Sequence, residues 1–179
     1  MADYVITFNP DRCISCYACE TSCAAKNNTP GDARLGQMVV IGPVKRKNRP
    51  RYLNMYVTCF HCAKPWCVQA CPTGAMTRRE DGLVYVDKAL CVGCKACMQA
   101  CPWRIPQWDS QEGKAIKCDH CRDRLDEGLE PACVEACCGH ALEYLKVNEA
   151  SAKARTAYVE KALLHSDDPY AVFAATTKS

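Results

Sequence analysis

The 179-residue sequence contains little of the material from which a hydrophobic core is usually built. It has only 3 Phe and 3 Trp, and much of its 49% hydrophobic content is cysteine and alanine. Small domains that bury too little apolar surface need another source of stability, and bound metal can supply it. We therefore expect the chain to fold poorly without metal.

The sequence also lacks the segments that direct a chain into or across a membrane. No apolar run is long enough to cross a bilayer, which predicts no direct membrane span. Residues 1–4 lead into a short apolar stretch without the basic and long apolar regions of a signal peptide. We therefore expect a cytoplasmic protein, in which clustered cysteines bind metal more often than they form disulfides.

Cysteine is abundant, with 17 residues, and sixteen of them fall into four groups of four, here called quartets one to four. In chain order these are Cys13, Cys16, Cys19, Cys23; Cys59, Cys62, Cys67, Cys71; Cys91, Cys94, Cys97, Cys101; and Cys118, Cys121, Cys133, Cys137. Quartets one and three share the spacing C-x2-C-x2-C-x3-C, and each follows a strand-like segment, residues 5–9 and 83–87. Quartets two and four share a C-x-H-C opening and a P-x-C-V-(Q/E)-A-C ending. This alternation predicts an internal duplication.

The spacing within quartets one and three favours iron–sulfur clusters. Three thiolates within seven residues can wrap one face of a compact cluster, whereas the fourth, on the following helix, faces away and ligates a neighbouring cluster. Zinc is the alternative, because C-x2-C pairs are common in zinc sites. Zinc sites usually pair two such units across a gap, so the pattern predicts four [4Fe-4S] clusters.

Exchange of the fourth cysteine between nested repeats predicts four ligand sets. They are Cys13, Cys16, Cys19 with Cys137; Cys118, Cys121, Cys133 with Cys23; Cys59, Cys62, Cys67 with Cys101; and Cys91, Cys94, Cys97 with Cys71. Proline follows Cys71 and Cys101 but neither Cys23 nor Cys137, which agrees with pairing quartet two with three and one with four. Cys138 directly follows a ligand, and we predict that it is not one itself.

The formal net charge of +3 changes sign once clusters are counted. A [4Fe-4S]2+ core with four thiolates carries −2, so four clusters add about −8 and leave roughly −5. The basic residues then mostly balance cluster charge, and no nucleic-acid binding is predicted.

The four quartets, with C-P-T-G-A at residues 71–75 and E-P-A-C-V-E-A-C at residues 130–137, resemble a known family over about residues 5–144. It is the four-cluster ferredoxin-type electron-transfer subunit of molybdenum and tungsten pterin oxidoreductases, among them formate dehydrogenases, dimethyl-sulfoxide-reductase-type enzymes and tungsten aldehyde oxidoreductases. The resemblance implies a large pterin catalytic subunit as partner and, beyond it, a flavin-containing or other redox subunit. It also implies single-electron transfer without catalysis, in keeping with ligands that leave no open metal position. A free-standing polyferredoxin and a zinc-dependent interaction module are the alternatives.

The predicted fold is α+β, with two ferredoxin-like modules of short strands and helices within residues 1–147. Module one comprises about residues 1–30 and 112–147, and module two about residues 52–111. A C-terminal helical extension covers residues 148–179, with Asn148 as its N-cap and Ala154, Tyr158 and Ala162 on one face. Residues 167–169 end that helix. We expect the extension, with Tyr170, Val172 and Phe173, to pack on the pterin subunit or on a second copy; folding back on its own module is the alternative.

Several residues near the quartets have two interpretations. The region 24–55 shows little core pattern, and its basic run, residues 45–51, is either a solvated loop or a docking site for an acidic partner. Trp66, Trp103 and Trp108 are expected to shield clusters from water, and contact of one of them with a partner is the alternative. His61 and His120 occupy matching positions and are expected either to tune cluster potentials through hydrogen bonds or simply to pack.

Overall fold

The computed structural model describes residues 3–46 and 48–164. Its helices are α1 (Ala18–Asn27), α2 (Trp66–Gln69), α3 (Ala96–Ala100), α4 (Arg122–Asp126), α5 (Ala132–Glu135) and α6 (Val147–Leu164). Its strands are β1 (Tyr4–Phe8), β2 (Gln37–Arg46), β3 (Arg49–Val57), β4 (Met76–Arg78), β5 (Val84–Val86), β6 (Gln107–Asp109), β7 (Lys114–Ile116) and β8 (Leu142–Lys146). The predicted mixture of short strands and short helices, with a C-terminal helix, is confirmed.

The strands form four separate antiparallel pairs. Strand β1, before quartet one, pairs with β8, after quartet four, so that Phe8 lies opposite Leu142. The pairs β2–β3, β4–β5 and β6–β7 lie between these two strands in sequence. The two ends of the cysteine-containing region are therefore joined, and quartets two and three lie between them along the chain.

The helices that carry cysteines pack in the same nested order. Helix α1, which contains Cys19 and Cys23, packs against α5, which contains Cys133. Helix α2, with Cys67, packs against α3, with Cys97. Quartet one is thus brought to quartet four, and quartet two to quartet three.

Cysteine side chains occupy much of the buried core. Three clusters of buried residues contain cysteines: one includes Cys19 and Cys133, one Cys23 and Cys118, and one Cys67 and Cys97. Each cluster adds only a few aliphatic or aromatic side chains to its thiols. The scarcity of ordinary core residues is thereby explained, because thiols stand where a larger domain would place Leu or Phe.

The segment between quartets one and two, whose sequence shows little core pattern, contains two long strands. Strands β2 and β3 form a hairpin, and residues 45–46 and 49–51 of the basic run lie in these strands rather than in a solvated loop. Gly42, Pro43 and Pro50 are residues typical of loops, but a register irregularity between Ile41 and Val44 accommodates two of them within the ladder.

The two faces of this hairpin differ. Met38 and Tyr56 are cross-strand partners and are buried in a cluster with Cys19, Cys133 and Leu142. The neighbouring partners Ile41 and Leu53 lie on the opposite face and are exposed. A Cβ at Gly36 would lie 1.9 Å from the Tyr56 hydroxyl oxygen, so only glycine permits this close approach.

Helix α6 packs its first turns on β1 and β8, and Lys153 Nζ lies 2.7 Å from Glu143 Oε1. The helix begins at Val147, so the prediction of Asn148 as N-cap is wrong, and Asn148 lies within the first turn. The side chain of Ala162 and residues 165–179, which contain the predicted helix end and tail, lie outside the described residues. Within the described part of the chain, no helix is both long and apolar enough to cross a membrane.

Candidate metal centres

All four C-x-x-C openings share one unusual backbone feature. The residue before the second cysteine has a positive φ in each: 56° at Ser15, 43° at His61, 73° at Gly93 and 57° at His120. Positive φ is uncommon outside glycine and is retained where the surrounding structure requires it, often at functional sites. Its recurrence at four matching positions indicates four ligand loops of similar shape.

Two cavities are each bounded by four cysteines of quartets two and three. One is lined by Cys59, Cys62, Cys67 and Cys101, and the other by Cys91, Cys94, Cys97 and Cys71. In both, three cysteines come from one quartet and the fourth from the other. The structure therefore brings these eight residues together in the combinations that the spacing predicts.

The cysteines of quartets one and four are grouped in the same exchanged way. Cys19 shares an apolar cluster with Cys13 and Cys137, and Cys16 also lies near it. The neighbours of Cys23 are instead Cys118, Cys133 and Cys121, all from quartet four.

Burial opposes ionisation of several of these thiols. Burial is the main reason why the pKa of Cys133 rises to about 12 and that of Cys67 to about 11. A bound cationic cluster would supply the missing counter-charge and displace the protons. The thiol groups thus fit a thiolate-ligated cluster.

Backbone amides also point at cysteine sulfurs. Met76 N–H donates to Cys71 Sγ at 3.4 Å, and Ala141 N–H donates to Cys137 Sγ at 3.2 Å. Both acceptors are fourth cysteines of their quartets. Such hydrogen bonds stabilise thiolate charge and adjust the potential of a bound cluster.

Cys138 lies outside the four groups but close to one of them. Its Sγ is 3.7 Å from Cys16 Sγ, and both residues are exposed. Nothing in the sequence indicated this contact, because Cys16 and Cys138 are 122 residues apart.

The positions of the two histidines do not support the interpretation that their rings tune cluster potentials through hydrogen bonds. His61 and His120 are 1% and 2% exposed, and their ring centroids are 3.9 Å apart. The His61 ring accepts a hydrogen bond from Val84 N–H through Nδ1 at 2.8 Å, whereas a backbone amide, His61 N–H, approaches Cys59 Sγ at 3.5 Å. Neither ring has a described hydrogen bond to a sulfur, so the packing interpretation is favoured.

Both histidine rings are neutral near pH 7. Burial, followed by the charge of Lys117, lowers the pKa of His120 to about 4 and lowers that of His61 further. The rings therefore add no charge to the sites.

Lys117 is a functional candidate that sequence reasoning missed. It is 6% exposed, and its Nζ donates to the carbonyl oxygens of Val84 and Cys118, the latter at 2.6 Å. It also lines the cavity bounded by Cys59 and its three companions. The available signal was its position between the apolar Ile116 and a predicted ligand, where a surface lysine is not expected.

Aromatic side chains cover the same cavity from outside. Trp66 and Trp103 line it, and the Trp103 ring meets Phe60 edge-on at 5.3 Å between centroids. All three remain about half exposed. Trp108 lies elsewhere, beneath Lys95, whose Nζ is 4.1 Å from its ring centroid.

The repeated loops and the grouped thiols define an iron–sulfur protein of the ferredoxin type. Two family models, both described as a 4Fe-4S dicluster domain, match residues 50–147 and 12–76, and two such domains imply four [4Fe-4S] clusters. The protein belongs to this 4Fe-4S dicluster family.

Relatives with curated descriptions extend over most of the sequence. The thiosulfate reductase electron transfer subunit PhsB of Salmonella typhi is 38% identical over 149 residues, covering 82% of this chain and 78% of the relative. One chain of the anaerobic dimethyl sulfoxide reductase of Escherichia coli is 34% identical over 157 residues, with coverage of 84% and 77%. One tetrathionate reductase subunit from Salmonella typhimurium is 41% identical over 140 residues, with coverage of 77% and 56%.

Proposed function

We propose that this protein is the electron-transfer subunit of a molybdenum or tungsten pterin oxidoreductase. It passes single electrons between the catalytic subunit and a second redox partner, and it catalyses no reaction itself. The observation that carries the proposal is the grouping of sixteen thiols into four sets, each with one member exchanged between quartets.

The ligand assignment follows from that grouping. Cys13, Cys16, Cys19 and Cys137 hold one cluster, and Cys118, Cys121, Cys133 and Cys23 hold a second. Cys59, Cys62, Cys67 and Cys101 hold a third, and Cys91, Cys94, Cys97 and Cys71 hold the fourth. The assignment makes residues 1–30 and 112–147 one module and residues 52–111 another, related by internal duplication. The β1–β8 pair and the contacts α1–α5 and α2–α3 support this division.

Bound clusters would supply one-electron chemistry. The residues of the chain would coordinate the clusters, stabilise their negative charge and limit the access of water. Thiolates hold each cluster at four corners, which leaves no position for a substrate. Backbone amides at Cys71 and Cys137 stabilise negative charge, and Trp66 and Trp103 limit the access of water.

The outer face of the β2–β3 hairpin favours a permanent subunit over a free-standing polyferredoxin. Ile41 and Leu53 are cross-strand partners on this face, and Ile41 is 57% exposed. The exposed Lys45 and Arg49 follow at the distal end of the hairpin and have no ion pair among the described residues. A soluble carrier gains nothing from an exposed apolar face beside positive charge, whereas a subunit can bury it on an acidic partner.

The relatives indicate the class of partner. Their names point to reductases of thiosulfate, dimethyl sulfoxide and tetrathionate, so we favour a catalytic subunit of that type over formate dehydrogenase and aldehyde oxidoreductase types. A flavin-containing or other redox subunit would be the second partner, and copies of this chain are a further candidate contact. Clustered cysteines that bind metal instead of forming disulfides would fit a cytoplasmic location.

Zinc binding has one specific observation in its favour. One ligand atom each from His61, Cys118 and His120 lies within 4.8 Å of the others, which is a geometry that zinc can use. Metal analysis after anaerobic purification from the native host separates the proposals. We expect about sixteen irons per chain, four for each cluster, no stoichiometric zinc and a large pterin protein in the same complex. A chain that carries iron but elutes alone would be a carrier, and a colourless zinc protein would contradict electron transfer altogether.

A further inference from the structure

Lys117 is a buried cation without a carboxylate partner. Its side chain is enclosed, and none of the ion pairs among the described residues involves it. Buried charges in proteins are normally paired or neutralised, because an isolated ion loses its hydration. The two acceptors of Nζ are the carbonyl oxygens of Val84 and Cys118, which carry only partial charge.

The position of Lys117 is fixed by the outer edge of β5. Among the described residues this sheet has only two strands, so one edge of β5 has no strand partner there. Val84 N–H on this edge donates to the His61 ring, and Val84 C=O accepts from Lys117. One fully buried residue thus orients both side chains, and both point toward the cavity of Cys59, Cys62, Cys67 and Cys101.

A cluster bound in that cavity would provide the missing negative charge. A [4Fe-4S]2+ core with four thiolates carries −2, and one-electron reduction makes it −3. A fixed positive charge beside the cluster is therefore attracted more strongly by the reduced state. In a buried site the attraction is screened much less than at the surface.

We propose that Lys117 is the fixed counter-charge of the cluster held by Cys59, Cys62, Cys67 and Cys101, and that it raises the midpoint potential of this cluster. This inference rests on the proposed ligand assignment. No ion pair among the described residues involves Lys117, so its charge remains available to a bound cluster. It is a tuning residue of the electron path and holds no cluster itself.

The test is redox titration of the whole complex, followed by electron paramagnetic resonance, with the relevant signal identified as the one that Cys62→Ser alters. In Lys117→Met, which removes the charge but keeps an unbranched side chain of similar length, we expect the reduction equilibrium of that cluster to weaken at least tenfold. For a one-electron couple this is a downward shift of about 59 mV or more. Lys117→Arg should retain the original potential.

Lys95→Met is the matched control. Lys95 also lies next to ligands, between Cys94 and Cys97, but it is exposed, so solvent screens its charge. Lys95→Met should lower the midpoint potential of the cluster held by Cys91, Cys94, Cys97 and Cys71 only slightly. This shift should be much smaller than the one that Lys117→Met causes in the cluster held by Cys59, Cys62, Cys67 and Cys101.

Lys117→Gln separates charge from hydrogen bonding, because it keeps a donor for the carbonyls without the charge. If the midpoint potential is unchanged in both Lys117→Met and Lys117→Gln, the inference is wrong. It is also wrong if Lys117→Gln keeps the original potential while Lys117→Met lowers it, because the hydrogen bonds and not the charge would then set the potential. Iron loss in both neutral variants but not in Lys117→Arg would make the charge a condition of cluster binding and would overturn the tuning role. If Cys62→Ser alters a signal that Cys59→Ser leaves intact, the ligand assignment fails instead.

Discussion

The buried imidazole rings of His61 and His120 lie in contact, with centroids 3.9 Å apart and planes inclined by 53°. Each ring belongs to a C-x-H-C loop, one in quartet two and the other in quartet four. The contact therefore joins the ligand loops of the two proposed modules. The His120 ring also meets Tyr144 of β8 edge-on, which connects the pair to the sheet of module one.

Removal of one of these rings should destabilise the contact between the two ligand loops. His61→Ala leaves a cavity and deprives the buried Val84 N–H of its acceptor, so we expect a loss of about 3 kcal/mol in stability. The rate of iron release to a chelator in mild urea measures this loss of stability, and we expect the rate to rise in His61→Ala. His140→Ala is the control, since His140 is exposed and has nearly the same φ, 46° against 43° for His61. Equal release rates for the two variants would show that the ring contact does not stabilise the sites.

Cys16 should be required for iron binding and Cys138 should not, although their thiols are neighbours. Two thiols only 3.7 Å apart are too close to serve as separate corners of one cluster, and the spacing assigns the corner to Cys16. We expect Cys138→Ala to keep about sixteen irons per chain and Cys16→Ala to lose iron from one cluster. Loss of a cluster signal in Cys138→Ala would make Cys138 the ligand.

The sequence allowed the cysteine groups to be predicted but not the surroundings of the sites. Spacing alone indicates which thiols share a loop, and nested repeats indicate which fourth cysteine is exchanged. Lys117 could not be predicted, because its burial depends on β5 and on the His61 ring, which are distant in sequence. The loop interpretation of the basic run failed for a local reason. Prolines and positive charges are typical of loops, whereas here pairing between two long strands places residues 45–46 and 49–51 in a hairpin.

The outer face of the β2–β3 hairpin should be required for assembly with the catalytic subunit. Ile41→Glu and Leu53→Glu each place a negative charge in an apolar contact, at a cost of about 1–3 kcal/mol or more in binding free energy. We expect weaker co-purification of the large subunit with no loss of iron. Leu129→Glu, in the exposed segment of quartet four, is the control and should assemble normally. Normal assembly of both hairpin variants would remove this face from the interface.

The C-terminal extension should serve assembly rather than cluster binding. Helix α6 contacts β1 and β8 near its start, but from Ser151 onward its described side chains are exposed. A protein truncated after Val147 should keep its four clusters and bind its partner subunit or a second copy at least tenfold more weakly. Full affinity of the truncated protein would mean that the helix belongs to its own module only.

The exchange of fourth cysteines between quartets is the centre of this account, and one comparison tests it most directly. Electron paramagnetic resonance spectra of reduced complexes carrying Cys62→Ser, Cys94→Ser or Cys101→Ser identify the cluster that each cysteine serves. We predict that Cys101→Ser alters the same signal as Cys62→Ser and leaves intact the signal altered by Cys94→Ser. If Cys101→Ser instead alters the signal of Cys94→Ser, quartet three holds its own cluster and the exchanged assignment is wrong.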